Sequence, residues 1–299
     1  MKHLIIGGAP KAGTGALFDL FRQHPNVLSA NKKETFFFID LDNPLINPSF
    51  NCHTKSVDDY KKEYFKSTKE FKYYLEGTTH LMYQKDVFAK LRELGDIQLI
   101  LILREPVERI KSSFLYTKNN LGRVNTQFTL DDYVKALLDN NLDLISEMIE
   151  DTKSRYVLTN EITNSRYINH LTHLENDGIT PTVITYDELR RNPYDCLKSI
   201  SLKLNLDLHS HNYENKKRNV TTSVGNLGIH QKIKKLRSIF LPNVKIGWLK
   251  KMYYRLQADK DDKTTEQLSF HLEKELKALF EQSNQQLAAK YHLNLNNWK

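Results

Sequence analysis

Apolar positions in the first hundred residues fall into short runs closed by glycine, separated by stretches of helical spacing. His3-Leu4-Ile5-Ile6 runs into Gly7-Gly8 and predicts a strand over 3–8 that ends in a glycine turn. A helix over Gly13–Gln23 follows, with Ala16, Leu17, Leu20 and Phe21 on one face. After a polar, aromatic-rich stretch from Asn31 to Lys72, in which Tyr60, Tyr64 and Phe65 suggest a short helix, Tyr73–Gly77 reads as a second strand. A helix is predicted over Gln84–Leu94, ending at Gly95, and Ile97–Leu103 is the most apolar strand. Pro106 suits the first turn of the next helix. Further helices are predicted at Thr129–Leu138, with Thr129 as cap, at Thr159–Asn176 and at Tyr194–Leu204, with a fourth strand at Thr182–Tyr186. From Ile229 onward the pattern is helical, strongest over Glu266–Lys290, and loops are expected at Lys216–Asn226 and Lys260–Lys263.

Strands separated by helices imply crossover connections and a parallel sheet, hence an α/β fold. We expect one domain over residues 1–299: an α/β core to residue 228 and a helical part of the same domain over 229–299. The length suffices for a proper core. No apolar run approaches the roughly 20 residues that cross a bilayer, and no signal-peptide pattern opens the chain, so a cytoplasmic location is expected. Two cysteines, Cys52 and Cys196, stand far apart without a CxxC or HExxH motif, which argues against a disulfide scaffold and the common zinc frameworks. Forty-four Lys and Arg against 36 Asp and Glu leave a net charge of +8, which suggests an anionic partner without naming it.

The chemistry concentrates at two strand ends. The first strand runs into Gly8-Ala9-Pro10-Lys11-Ala12-Gly13-Thr14-Gly15-Ala16, where backbone N–H groups and a helix N-terminus can hold an anion. Gly8 to Gly13 has the GxxxxG spacing of a P-loop, yet Thr14 stands where an NTPase has lysine, and the lysine is inside the loop at Lys11. A purely structural glycine turn is the competing account. The Ile97–Leu103 strand ends in Arg104, where an NTPase would place a magnesium-holding aspartate. A cation there suits a metal-free anion site.

Pro-Lys-x-Gly-Thr followed by Leu-Arg-x-Pro-x-x-Arg-x-x-Ser resembles the two nucleotide signatures of sulfotransferases that use 3′-phosphoadenosine 5′-phosphosulfate (PAPS). Weaker points of resemblance are His24-Pro25, Lys33-Glu34 with Phe36-Phe37-Phe38, Tyr186–Leu189 through Asn192-Pro193, and Leu276, Phe280, Asn284, Leu287 and Trp298. The resemblance implies a P-loop-like sulfotransferase fold with PAPS as co-substrate and no metal. Lys11 would then stabilise the departing 5′-phosphate, with Ala12, Gly13, Thr14, Gly15 and Ala16 in the loop that binds it. Arg104 and Ser112 would take the 3′-phosphate, Tyr186 would pack on adenine, and Lys216, Lys217 and Arg218 would close over the 3′ end. For the residue that takes the acceptor's proton, Glu34 is the first candidate and His80 the second. Where glycosaminoglycan-type relatives carry Glu-Lys-Thr-Pro, this chain has Glu76-Gly77-Thr78-Thr79 and lacks the lysine.

The resemblance implies a hydroxyl acceptor, with an amine as the lesser choice. The glutamate base and the net charge lean towards a saccharide, and no nucleic-acid partner is expected. Lys232, Lys234, Lys235, Arg237, Lys245, Lys250 and Lys251 would extend a basic surface, contact membrane headgroups, or only be the solvated face of helices. Two other readings stay open: a P-loop kinase or NTPase, which needs a carboxylate near the loop, and a non-catalytic polyanion-binding protein.

Overall fold

The structure, a computed structural model, describes residues 2–208 and 266–298. Within them the chain gathers into two compact units, one of residues 2–109, 163–208 and 280–298, the other of residues 110–162 and 266–279. The expected loop at Lys216–Asn226, the basic residues from Lys232 to Lys251 and the loop at Lys260–Lys263 lie outside the described residues.

The first unit is built on a five-stranded parallel sheet in the order β2-β3-β1-β4-β5. Its strands are β1 (Lys2–Gly8), β2 (Val27–Ser29), β3 (Tyr73–Glu76), β4 (Asp96–Leu103) and β5 (Thr182–Thr185). Burial along β1 and the second half of β4 is continuous rather than alternating, as helices on both faces of a parallel sheet require. β2 and β3 lie to one side of β1, β4 and β5 to the other, so the chain reverses its winding at β1. In open sheets of this kind ligands bind beyond the carboxyl ends of the strands at that reversal. The glycine loop follows β1 and is therefore at the right corner.

The register between β1 and β4 slips by one residue between Ile6 and Gly8. A Cβ on Gly8 would stand 2.3 Å from Met82 Sδ, so the turn after β3 can approach β1 only because this position carries no side chain.

Several expected elements differ. The strand over Val27–Ser29 was not anticipated, because three residues carry no readable alternation. The fourth expected strand stops at Thr185, and Tyr186 opens the helix Tyr186–Arg191. Thr185 is the cap: its hydroxyl accepts from Glu188 N–H, while the Glu188 carboxylate accepts from Thr185 N–H. The helix expected over Gln84–Leu94 shrinks to Phe88–Arg92. The Asp40 carboxylate accepts the N–H groups of Lys85, Asp86 and Val87, and so holds that backbone outside the helix. The span Thr159–Asn176 is two helices, Glu161–Ser165 and Tyr167–Asn176, after a separate helix Thr152–Thr159.

In the second unit the helix Leu130–Leu138 begins at a Thr129–Asp132 capping box. Phe114 and Tyr133 stack at 4.6 Å, and the buried Lys118 ammonium is satisfied by Phe128 O and the Glu266 carboxylate. The C-terminal helix spans Phe270–Tyr291. Among the described residues no helix is long and apolar enough to cross a membrane, and no cluster of three or more His, Cys, Asp or Glu side chains could hold a metal ion.

Candidate active site

The loop after β1 turns sharply, with Lys11 at φ 66° and Gly13 at φ 88°. Gly13 is the residue before the helix Thr14–Phe21 and offers no side-chain cap to its first turn. The Ala16 N–H is turned back onto Gly13 O at 3.0 Å. Thr14 is buried; Gly13, Gly15 and Ala16 are half-buried, and Ala12 is fully buried.

The glycine at 13 is needed twice over. Its φ lies in the left-handed region, and a Cβ there would stand 2.9 Å from Tyr186 Cδ2 and 3.1 Å from Cε2. Tyr186 is delivered to that spot by the capping box at the end of β5. Its ring in turn carries the Arg104 guanidinium, 5.0 Å from the ring centroid. Arg104 leaves the end of β4, donates from Nη1 to Lys11 O at 3.2 Å, and pairs through Nη2 with Glu108 Oε2 at 3.1 Å. Its own carbonyl accepts from the Tyr167 hydroxyl at 2.7 Å, which fixes the backbone at the strand end. Four of the expected residues, Lys11, Gly13, Arg104 and Tyr186, thus meet at one corner.

Glu34 reaches the same loop from the other side. Lys33 Nζ lies 3.3 Å from Glu34 Oε1 and 3.4 Å from Thr14 Oγ1, so the carboxylate and the helix start are joined through one ammonium. The backbone beyond Glu34 is held tightly. Phe36 has φ 51°, a left-handed value that a bulky side chain rarely adopts. Its N–H donates to Thr78 Oγ1 at 3.1 Å. The hydroxyls of Thr35 and Thr78 both donate to the Glu76 carboxylate, at 3.0 and 2.9 Å. Glu76 is only 1 % exposed, and burial pushes its carboxyl above the usual range against the hydrogen bonds that pull it down.

His80 follows the same turn but is enclosed. Its ring packs edge-on against Tyr83, and burial together with the Arg109 charge holds the imidazole down to about 3. Arg109, the second arginine of its motif, is also buried and donates to Ser165 Oγ at 2.6 Å. Ser112 is half-buried on the helix Pro106–Leu115 and belongs to the second unit. Lys216, Lys217 and Arg218 lie outside the described residues.

Two contacts escape the sequence reading: Lys33 is there only a point of resemblance beside Glu34, and Glu76 only part of a motif. The signal for the first was the glycine at 77, over which the Lys33 stem passes.

No protein-family model and no curated protein sequence matches the chain. Among solved structures it is similar to a sulfotransferase from Alicyclobacillus acidocaldarius, at 16% identity and a TM-score of 0.63, over 100% of this chain and 98% of that one. More distant similarities are to mouse sulfotransferase SULT7A1 complexed with PAP, 15% identical with a TM-score of 0.44 over 84% of this chain and 89% of that one. The sulfotransferase domain of the curacin biosynthetic pathway follows, 12% identical with a TM-score of 0.41 over 95% and 97%. The chain therefore has the α/β fold of a sulfotransferase, with P-loop-like topology.

Proposed function

We propose that the protein is a PAPS-dependent sulfotransferase whose acceptor is a saccharide hydroxyl. The observation that carries this reading is Arg104: a guanidinium at the end of β4, stacked over Tyr186 and bonded to the glycine-loop carbonyl of Lys11. A kinase or NTPase would need a carboxylate there to hold magnesium. Arg104 takes the 3′-phosphate, and Tyr186 takes the adenine. The loop from Ala12 to Ala16 receives the 5′ end, with Thr14 and the first-turn N–H groups as its donors.

Transfer is in line. The acceptor oxygen forms a bond to sulfur as the bond from sulfur to the bridging oxygen breaks, and that electron pair stays on the 5′-phosphate of the departing 3′,5′-bisphosphoadenosine (PAP). Lys11 stabilises this growing charge, and the acceptor's proton passes to the Glu34 carboxylate. Glu34 is preferred to His80 because it is joined to Thr14 through Lys33, whereas His80 is walled in by Tyr83. The saccharide preference rests on the glutamate base and the net charge of +8.

Thermal unfolding with added PAP or ATP–Mg²⁺ tests the donor. A large upward shift is expected with PAP alone, abolished in Lys11→Ala and Arg104→Ala. A shift with ATP–Mg²⁺ instead would mark a nucleotide triphosphatase, and no shift with either ligand would leave a polyanion binder.

A further inference from the structure

One cation stands between the glycine loop and the base, and the mechanism above gives it no task. Lys33 has a side chain 25% exposed, and its ammonium touches both Thr14 Oγ1 and Glu34 Oε1. It is guided there rather than drifting on the surface. The stem lies across Gly77, where an added Cβ would stand 3.1 Å from Lys33 Cε, 3.2 Å from its Cγ and 3.1 Å from Phe18 Cδ2. Gly77 N–H donates to Lys33 O at 2.8 Å, so the backbone of the two segments is clamped beneath the stem. The ammonium end lies 6.0 Å from the Phe18 ring centroid, on the first helix after the loop.

The chemistry of the contact has a direction. An ammonium is only a donor, so Thr14 Oγ1 accepts from Lys33 and its own O–H is left to donate elsewhere. An anion held by that hydroxyl shares the oxygen that the ammonium itself approaches to 3.4 Å. Lys33 is thus placed to serve either the Glu34 carboxylate or a phosphate at the start of the helix. Two cations on a phosphate also suit a leaving group on which charge grows.

We infer that Lys33 is a second cationic ligand of the donor's 5′-phosphate, beside Lys11, its stem passing over the open space at Gly77. This rests on the donor reading above. Segment 76–79 lacks the lysine that the resemblance would place at 77, and Lys33 delivers its ammonium across that same residue from the neighbouring segment.

Calorimetric titration of the full chain with PAP and with adenosine 3′-phosphate, which lacks the 5′-phosphate, separates the possibilities. Loss of one charge-assisted hydrogen bond predicts that Lys33→Met weakens PAP about tenfold or more and adenosine 3′-phosphate less than about twofold. Gly77→Ala presses on the Lys33 stem and on Phe18 and should weaken PAP more than adenosine 3′-phosphate. Thermal unfolding without ligand checks that each variant is folded. If Lys33→Met binds PAP within about twofold of the parent, or weakens both ligands alike, Lys33 is no ligand of the 5′-phosphate and the inference fails. If the unmodified protein binds no PAP at all, the donor reading itself has failed, which is a different result.

Discussion

Replacing Gly13 by alanine tests the corner where the glycine loop, Tyr186 and Arg104 meet. Two separate costs are expected. At φ 88° an L-residue is in the left-handed region, which costs about 1–2 kcal/mol. The new methyl would also stand 2.9 Å from Tyr186 Cδ2 and 3.3 Å from Leu189 Cδ2, and overpacking of this kind costs about 1–3 kcal/mol. The sum is about 2–5 kcal/mol if neither neighbour yields. Urea unfolding of Gly13→Ala, Tyr186→Ala and the double variant separates the two parts. Removing the ring relieves the clash but leaves the backbone cost, so the cycle should show a coupling of about 1–3 kcal/mol, with the rest persisting. The reasoning is refuted if Gly13→Ala costs less than about 0.5 kcal/mol, or costs the same with and without the ring. In either case Tyr186 would not be resting on the loop as described.

Three further outcomes are expected. Glu34→Gln should lower the rate of sulfuryl transfer about 10²–10⁴-fold, the range for loss of a general base. His80→Ala should then lower it far less; the reverse ranking would move the base to His80. His3, fully buried among Tyr60, Phe65 and Tyr74, is held down to about 4 by burial, with Lys61 adding to the effect. Its unfolded counterpart takes up a proton near pH 6.5 and the folded one does not, so stability falls as pH drops from there to about 4. His3→Phe should flatten the denaturation profile in that window by up to about 1.4 kcal/mol per pH unit, and an unchanged slope would contradict the burial argument. Finally, Glu76→Ala removes the acceptor of two buried hydroxyls and should destabilise by about 2–5 kcal/mol in urea unfolding. Glu76→Gln keeps an acceptor oxygen while removing a buried charge, so it should cost markedly less.

What could be read from the chain and what could not divide along a physical line. β4 was legible because Leu99–Leu103 is buried without interruption and its composition says so. The glycine loop and the arginine at the end of β4 were legible because their chemistry is local to a few adjacent residues. The helix expected at Gln84–Leu94 was misread because the cause of its shortening, the Asp40 carboxylate, comes from a distant part of the chain. The break before Glu161 is more local: the Asn160 side chain donates to Tyr156 O at 2.8 Å and competes with the helix. Lys33 and Glu76 could not be found from periodicity, since each also joins a partner on another segment: Thr14 for the first, Thr35 for the second.

The tight glycines of the donor corner bear on how such a chain can change over time. Gly8 faces Met82 and Thr79 O, Gly13 faces Tyr186 and Leu189, and Gly77 faces Lys33 and Phe18, each glycine leaving room for its neighbours. Volume at these places is therefore a property of a small group and not of a residue. A descendant that enlarges position 77 must shorten or redirect position 33 or 18, and one that enlarges position 8 must trim position 82. Across diverging relatives the members of each group should alter together, and substitution of one member alone should be rare. The lysine expected at 77 and the lysine found at 33 would then be alternative solutions to one packing constraint.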